Sequence, residues 1–431
     1  MKYHHPSKEL FIRNRKLFSD QLKPSSAAIF HSSDIYPIHA DRFHKFQQQS
    51  DIYYLTGIDQ EETILVLTPD HPDPSFREIL FIRSLDPQVV IWEGEKLSIE
   101  KAESISGVSK IYNLNNYEIV LKELLYYVTN IYFNFNEYAK FFSDIEDRNS
   151  RKAREVMNKY PTHSFERSAP ILHQLRMVKT REEIEIIKKA CEITEKSFRH
   201  LLNAVKPEMM EYQVEAELEY VFKYNGATGS AYEPIVAGGE NACSLHYIKN
   251  DKELKDGQLL LLDMGAEYGN YASDMSRTIP VNGRFTKRQK ECYNAVLDVF
   301  KKACQKFTIG NTLKGINEYV NDLMQEACIK LGLFSEEDLK NQEEDYKLLQ
   351  KYYMHKVSHH IGLNVHDVFD PNAKFEAGMV LTCEPGIYIK EEGIGIRIEN
   401  DILVTLDGPV DLMANIPIEV EEIESLMNSS I

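Results

Sequence analysis

Three clusters in the second half of the chain carry the residues best suited to chemistry. In the first, the apolar runs Leu259 to Asp263 and Tyr271 to Ile279 flank a turn-rich centre containing Gly269 and Asn270. A hairpin centred between Tyr268 and Gly269 sets Asp263 opposite Asp274, with Cβ atoms about 5 Å apart. Like charges facing each other destabilise a sheet unless a cation lies between them. The pattern recurs downstream. A turn at Glu391 and Glu392, followed by Gly393, sets Glu384 opposite Glu399. On the returning strand Arg397 points where Glu399 points. In the third cluster, four of the fourteen histidines lie between His355 and His366. His359 and His360 are adjacent, so at most one of them faces a shared site.

Four carboxylates and one imidazole suit a pair of divalent ions, the donor set of a two-metal hydrolase. Oxygen-rich ligation leans toward Mn²⁺, and the imidazole also admits Co²⁺, Zn²⁺ or Fe²⁺. Any one of these acids alone reads equally well as a solvated strand-end residue. Two acidic hairpins beside a histidine cluster do not.

These side chains need a scaffold of strands and helices. Strand-like runs occur at Gln258 to Ala266, Ala272 to Val281, Met379 to Ile389 and Gly393 to Leu403. Thr180 with Glu183, and Thr286 with Gln289, are capping boxes that start helices. A third helix is expected from Leu313 to Leu331, stopped by Gly332. Glu336 to Lys351 is charged and helix-prone. Earlier in the chain Phe11 to Gln21 reads as a helix, and Glu62 to Thr68 and Glu78 to Ile82 as strands. Phe142 to Tyr160 reads as a helix and connector. The expected organisation is an α/β (α+β) chain of two domains, 1–175 and 176–431, since 431 residues exceed one ordinary core.

Composition narrows the function classes. A net charge of -17 argues against a general nucleic-acid surface. No apolar stretch is long enough for a membrane span. Met1 to Phe18 is charged throughout, so no secretory signal is expected. The six cysteines include no CxxC pair and suggest reduced thiols in a reducing, cytoplasmic setting.

The same residues carry a family likeness. The chain resembles the bacterial type of Xaa-Pro aminopeptidase (aminopeptidase P), within the pita-bread metallopeptidases. The motifs are Leu262-Asp263-Met264-Gly265, Ser273-Asp274-Met275-Ser276-Arg277-Thr278, Ser358-His359-His360-Ile361-Gly362, Glu384-Pro385-Gly386 and Gly395-Ile396-Arg397-Ile398-Glu399. The likeness extends to Ser50-Asp51-Ile52-Tyr53-Tyr54-Leu55-Thr56-Gly57 and Ile91-Trp92-Glu93-Gly94 in the first domain. Ser276, where threonine is common, and His360, where a bulky aromatic is common, are departures that touch only pocket detail.

The resemblance implies a C-terminal pita-bread catalytic domain after an aminopeptidase P-type N-terminal domain. It places metal ligands at Asp263, Asp274, His359, Glu384 and Glu399, choosing His359 over His360. It places substrate or proton-relay roles on His246, His355, His366 and Arg397, and catalysis at Glu384. The implied reaction cuts the bond before a proline at position two, using a hydroxide bridging two divalent ions. The implied partners are such peptides and other copies of the chain, as a homodimer or homotetramer, with no nucleic acid or membrane. Trp92, the single tryptophan, reads either as buried core or as an indole capping a cleft. Prolidase, a dipeptidase sharing all five ligands, is the nearest rival. A metal-free binding module or a creatinase-like hydrolase would not keep the full ligand set.

Overall fold

The structure is a computed structural model and describes residues 5–83, 87–138 and 143–429. It divides into two compact units, His5–Arg176 and Met177–Ile431. None of the helices among the described residues is long and apolar enough to cross a membrane.

The first unit is built on a mixed six-stranded sheet. Its spatial order is Lys110–Asn113, Glu78–Ile82, Ile64–Leu67, Ser26–His31, Asn130–Phe133 and Ser164–Arg167. The central strands Ser26–His31 and Ile64–Leu67 are buried throughout, as near-continuous apolar runs must be. The strand expected at Glu78 to Ile82 is present there. The one expected from Glu62 starts only at Ile64, because Glu62 turns with φ 55°. The first helix is Lys8–Ser19, three residues earlier at its start than the apolar pattern suggests. Ser50–Thr56 forms a buried helix closed by Gly57 at φ 67°, where an added Cβ would lie 2.3 Å from the Phe11 ring. Within the stretch read as helix and connector, Phe142 lies outside the described residues, and the helix is Arg148–Lys159. Trp92 is 84% exposed, which corrects the reading of it as core. It sits on the short helix Pro87–Glu93 beside Ile91, itself exposed.

In the second unit both capping boxes form. Thr180 heads Arg181–Ala204 and Thr286 heads Lys287–Cys304. Helix Leu313–Lys330 is followed by Gly332 at φ 74°. The segment from Glu336 to Lys351 departs from expectation and is α-helical only over Glu336–Lys340. It has no continuous apolar stripe, and short helices gain most of their stability by burying one.

The four long strands expected around the acids are each interrupted. They become Leu259–Met264 with Ala266–Tyr268, Tyr271–Ala272 with Met275–Pro280, Val380–Cys383 with Gly386–Ile389, and Ile394–Arg397 with Asn400–Thr405. The breaks fall at Gly265, at Ser273 and Asp274, at Glu384 and Pro385, and at Ile398 and Glu399. Pro385 has no N–H to give a ladder. Gly265 allows a close crossing, since a Cβ there would lie 1.8 Å from the Ser273 carbonyl oxygen. Each hairpin thus has its base in one small sheet and its tip in another. The two hairpins join where the Glu399 N–H donates to the Ser276 carbonyl at 3.1 Å. Arg277, fully buried, rivets that seam by donating to the carbonyls of Ser276, Glu399 and Pro417 and to Asn400 Oδ1.

Candidate metal centre

The first hairpin turns between Gly269 and Asn270, both with positive φ, and not between Tyr268 and Gly269. Positive φ at both central residues is the requirement of a type I′ turn, whose twist matches that of the flanking strands. The ladder therefore pairs Asp263 with Ser276 and Tyr268 with Tyr271. A slip of two residues preserves the face, so Asp263 and Asp274 still point the same way. They are diagonal rather than directly opposite. The second hairpin keeps the expected register, with Gly386 against Arg397 and Cys383 against Asn400. Glu384 and Glu399 face each other across the gap between those two ladders.

The strand breaks turn the acids onto one another. One ligand atom each from Asp274, His359 and Glu399 lies within 4.8 Å of the others. His359 Nε2 is 3.4 Å from Asp274 Oδ2 and 3.6 Å from Glu384 Oε1. Its Nδ1 donates to the His360 carbonyl at 3.1 Å, which fixes the ring with Nε2 toward the acids. Asp263 joins through Tyr232, whose hydroxyl lies 2.6 Å from both Asp263 Oδ1 and Asp274 Oδ1. One proton cannot satisfy two carboxylates, so these oxygens are short of positive charge.

The charge balance says the same. Burial pushes the Glu384 carboxyl up to about 7, with Asp274 and Asp263 adding repulsion against the pull of His359 and Arg397. Burial and the neighbouring acids raise Glu399 well above the carboxylate range, and burial raises Asp263. Burial alone would depress His359, but Asp274 and Glu384 push it up to about 9. Crowded, buried oxygen donors with one imidazole are what divalent cations stabilise, so the residues present fit a metal centre.

The remaining expected residues surround this cluster. His355 Nδ1 donates to the Lys356 carbonyl at 2.9 Å and lies 3.6 Å from Glu384 Oε2. Burial, then the charge of Arg397, lowers its pKa to about 3, so the ring is neutral and its Nε2 accepts from the Tyr388 hydroxyl at 2.8 Å. The ring of His366 lies 4.2 Å from that of His359. His246 is exposed on its loop, near enough to His355 to depress that ring further. Arg397 is 4% exposed, and each of its nitrogens has a protein partner. Nε donates to Ser276 at 2.8 Å, Nη1 to Tyr388 at 2.9 Å and Nη2 to Asp263 at 2.5 Å. It braces the ligands and is not a free cation facing substrate. His360 is buried away from the acids, in a bridge with Leu381, and burial lowers its pKa to about 3.

Four contributors escape the sequence reading. Tyr388 links His355 to Arg397, and its signal was present: Glu384, Gly386 and Tyr388 share one face at strand spacing. Ser276, set aside above as pocket detail, donates to Glu399 at 2.7 Å. Thr382 accepts from the His359 N–H at 3.1 Å. Tyr232 follows a short strand in a loop, where no periodicity marks it.

His359→Ala should lose metal in elemental analysis, whereas His360→Ala should retain it together with much of the activity. The reverse pattern would place the ligand one residue further along.

Comparison with known proteins bears on the whole chain. The sequence profile of metallopeptidase family M24 matches residues 185–406, and that of the aminopeptidase P N-terminal domain matches residues 11–132. The Xaa-Pro aminopeptidase of Escherichia coli is 34% identical over 98% of this chain and 98% of its own. The chain belongs to metallopeptidase family M24. Solved relatives include Pseudomonas aeruginosa aminopeptidase PepP, with a TM-score of 0.90, 31% identity and 98% coverage of both chains. A zinc-substituted E. coli aminopeptidase P in complex with product gives 0.88 and 32%, covering 98% of this chain and 99% of that one. The second unit is thus the pita-bread domain of the family, preceded by an aminopeptidase P N-terminal domain. The enzyme is a metal-dependent aminopeptidase.

Proposed function

We propose that this enzyme removes the first residue of peptides whose second residue is proline, with Asp263, Asp274, His359, Glu384 and Glu399 holding two divalent ions. When bound, such ions would polarise the scissile carbonyl and make water a nucleophile near neutral pH. The protein supplies the rest. Glu384 takes a proton from the attacking water at a carboxylate oxygen and passes it to the leaving prolyl nitrogen. His366 donates to the developing oxyanion, whereas His355, whose one N–H is given to the Lys356 carbonyl while its Nε2 accepts from Tyr388, orients that region of the site. A prolyl nitrogen in an amide bears no proton, so recognition rests on ring shape, for which His246 and His366 form the wall. Oxygen-rich ligation favours Mn²⁺, with Co²⁺, Zn²⁺ and Fe²⁺ as alternatives. The six free cysteines, all at least partly buried, support a reducing cytoplasmic setting. The exposed Trp92 is available to a second copy in a homodimer or homotetramer.

The observation that favours an aminopeptidase over a dipeptidase is the commitment of Arg397. A dipeptidase must recognise the carboxylate of its terminal proline, and this cation is already engaged by Ser276, Tyr388 and Asp263. Metal-reconstituted enzyme should therefore cut Xaa-Pro-Yaa with kcat/KM about tenfold or more above that for Xaa-Pro, equivalent to roughly 1.4 kcal/mol. Alanine in place of proline should give a poor substrate, and acetylation of the amino terminus should block cleavage. Faster turnover of the dipeptide under the same metal would assign the enzyme to prolidase.

A further inference from the structure

Glu211 lies outside the metal cluster and takes no part in the mechanism above, yet it is fully buried. It is the first residue of the helix Glu211–Tyr224. Its carboxylate accepts four hydrogen bonds. Gly238 N and Asn241 Nδ2 each donate to Oε1 at 2.9 Å. The Tyr247 hydroxyl donates to Oε2 at 2.7 Å and Lys252 N at 2.9 Å. All four donors belong to one stretch of chain, and His246 lies inside it.

The same stretch is held on its other side. The 3₁₀ turn Gly239–Cys243 packs so closely on the strand Ile394–Arg397 that a Cβ at Gly395 would lie 2.5 Å from the Ala242 carbonyl. Cys243 Sγ is 3.6 Å from the Ile394 carbonyl oxygen. Leu245 and Tyr247, the neighbours of His246, pack on a buried cluster that includes Tyr388. His246 is therefore the exposed tip of a loop whose flanks are fixed. Removing Glu211 would leave two backbone N–H groups without their acceptor, which a buried loop tolerates poorly.

We propose that Glu211 is a positioning residue that holds the His246 loop in its substrate-binding conformation. The inference rests on the reading of His246 as part of the proline pocket. A glutamine at this position keeps the shape but turns an amide toward two of the donors, so those hydrogen bonds fail.

The test compares Glu211→Gln, His246→Ala and the double variant as Mn²⁺-loaded enzymes on an Xaa-Pro-Yaa tripeptide. Metal stoichiometry and amide hydrogen exchange are read alongside. Glu211→Gln should lower kcat/KM about tenfold, comparably with His246→Ala, keep the wild-type metal content and speed exchange across residues 238–252. The double variant should be no slower than His246→Ala alone, because both changes remove one function. Multiplied losses in the double variant, loss of metal, or unchanged exchange would overturn the proposal. Should His246→Ala have no kinetic effect while Glu211→Gln still loosens the loop, the substrate role of His246 falls, and with it the purpose assigned to Glu211. Should Glu211→Gln not fold, Tyr247→Phe removes a single donor. It should lower kcat/KM about threefold and likewise add nothing to His246→Ala, whereas additivity would count against the proposal.

Discussion

Asp274→Ala is expected to lose metal and turnover together. Asp274 sits at the break between Tyr271–Ala272 and Met275–Pro280, where the chain leaves the ladder and the carboxylate is free to face inward. One of its oxygens meets Tyr232 beside Asp263, and the other meets His359. It therefore lies between Asp263 and His359, as a ligand proposed to bridge two ions would. Its backbone is fixed as well, since the Asp274 N–H donates to buried Asp401 at 3.1 Å. On the proposed ligand set Asp274 would serve both ions, so truncation should leave neither half of the centre intact. A metal centre lowers the barrier by several kcal/mol, and its loss should lower kcat on the order of 10³-fold or more. Elemental analysis and turnover should fall in parallel. Full metal occupancy in Asp274→Ala would remove this residue from the ligand set.

Much of this centre is legible in the sequence, for reasons that differ from residue to residue. The acids and glycines that turn a hairpin are close in sequence, so spacing alone pairs Glu384 with Glu399. In the first hairpin the turn was placed two residues' worth of register away, yet the face was right, because side-chain direction in a strand repeats every second residue. What spacing cannot show is where a strand breaks. Continuous apolar runs such as Met379 to Ile389 look like one strand. The break at Glu384 and Pro385 follows from the missing N–H of Pro385 and from the Glu384 N–H donating to the distant Val357 carbonyl. Tyr232 was illegible for a related reason: it reaches Asp263 and Asp274 from a loop, and nothing in its own neighbourhood encodes that contact. Arg397 was read on the correct face, but its commitment to three partners depends on Ser276 and Asp263, each more than a hundred residues away in the chain. Trp92 shows the opposite failure, since apolar character alone does not decide burial.

Lys179→Met should be among the most destabilising single changes in the second unit. Lys179 Nζ lies 3.1 Å from Asp367 Oδ2, and both side chains are 1% exposed. Little solvent reaches either charge, so their attraction is poorly screened. The pair also ties together two segments of the unit. Lys179 precedes the capping box at Thr180, and its N–H donates to the Gly378 carbonyl at 2.9 Å. Asp367 follows His366, and its N–H donates to the His360 carbonyl at 2.9 Å. Gly362 leaves room for the carboxylate, because a Cβ there would lie 2.2 Å from Asp367 Oδ2. Methionine preserves the length of the lysine but removes the cation beside a buried carboxylate, a change that costs about 3–5 kcal/mol. Neutralising both members, as in Lys179→Met with Asp367→Asn, should recover much of that loss, since a neutral amide is far less costly to bury than a carboxylate that has lost its cation. The measurement is chemical unfolding followed by circular dichroism or amide exchange. Tryptophan fluorescence is unsuitable, because Trp92 belongs to the other unit. A single variant as stable as the parent would show that the pair is solvated in solution. A double variant no better than the single would show that the lost contact itself, and not the buried charge of Asp367, sets the cost.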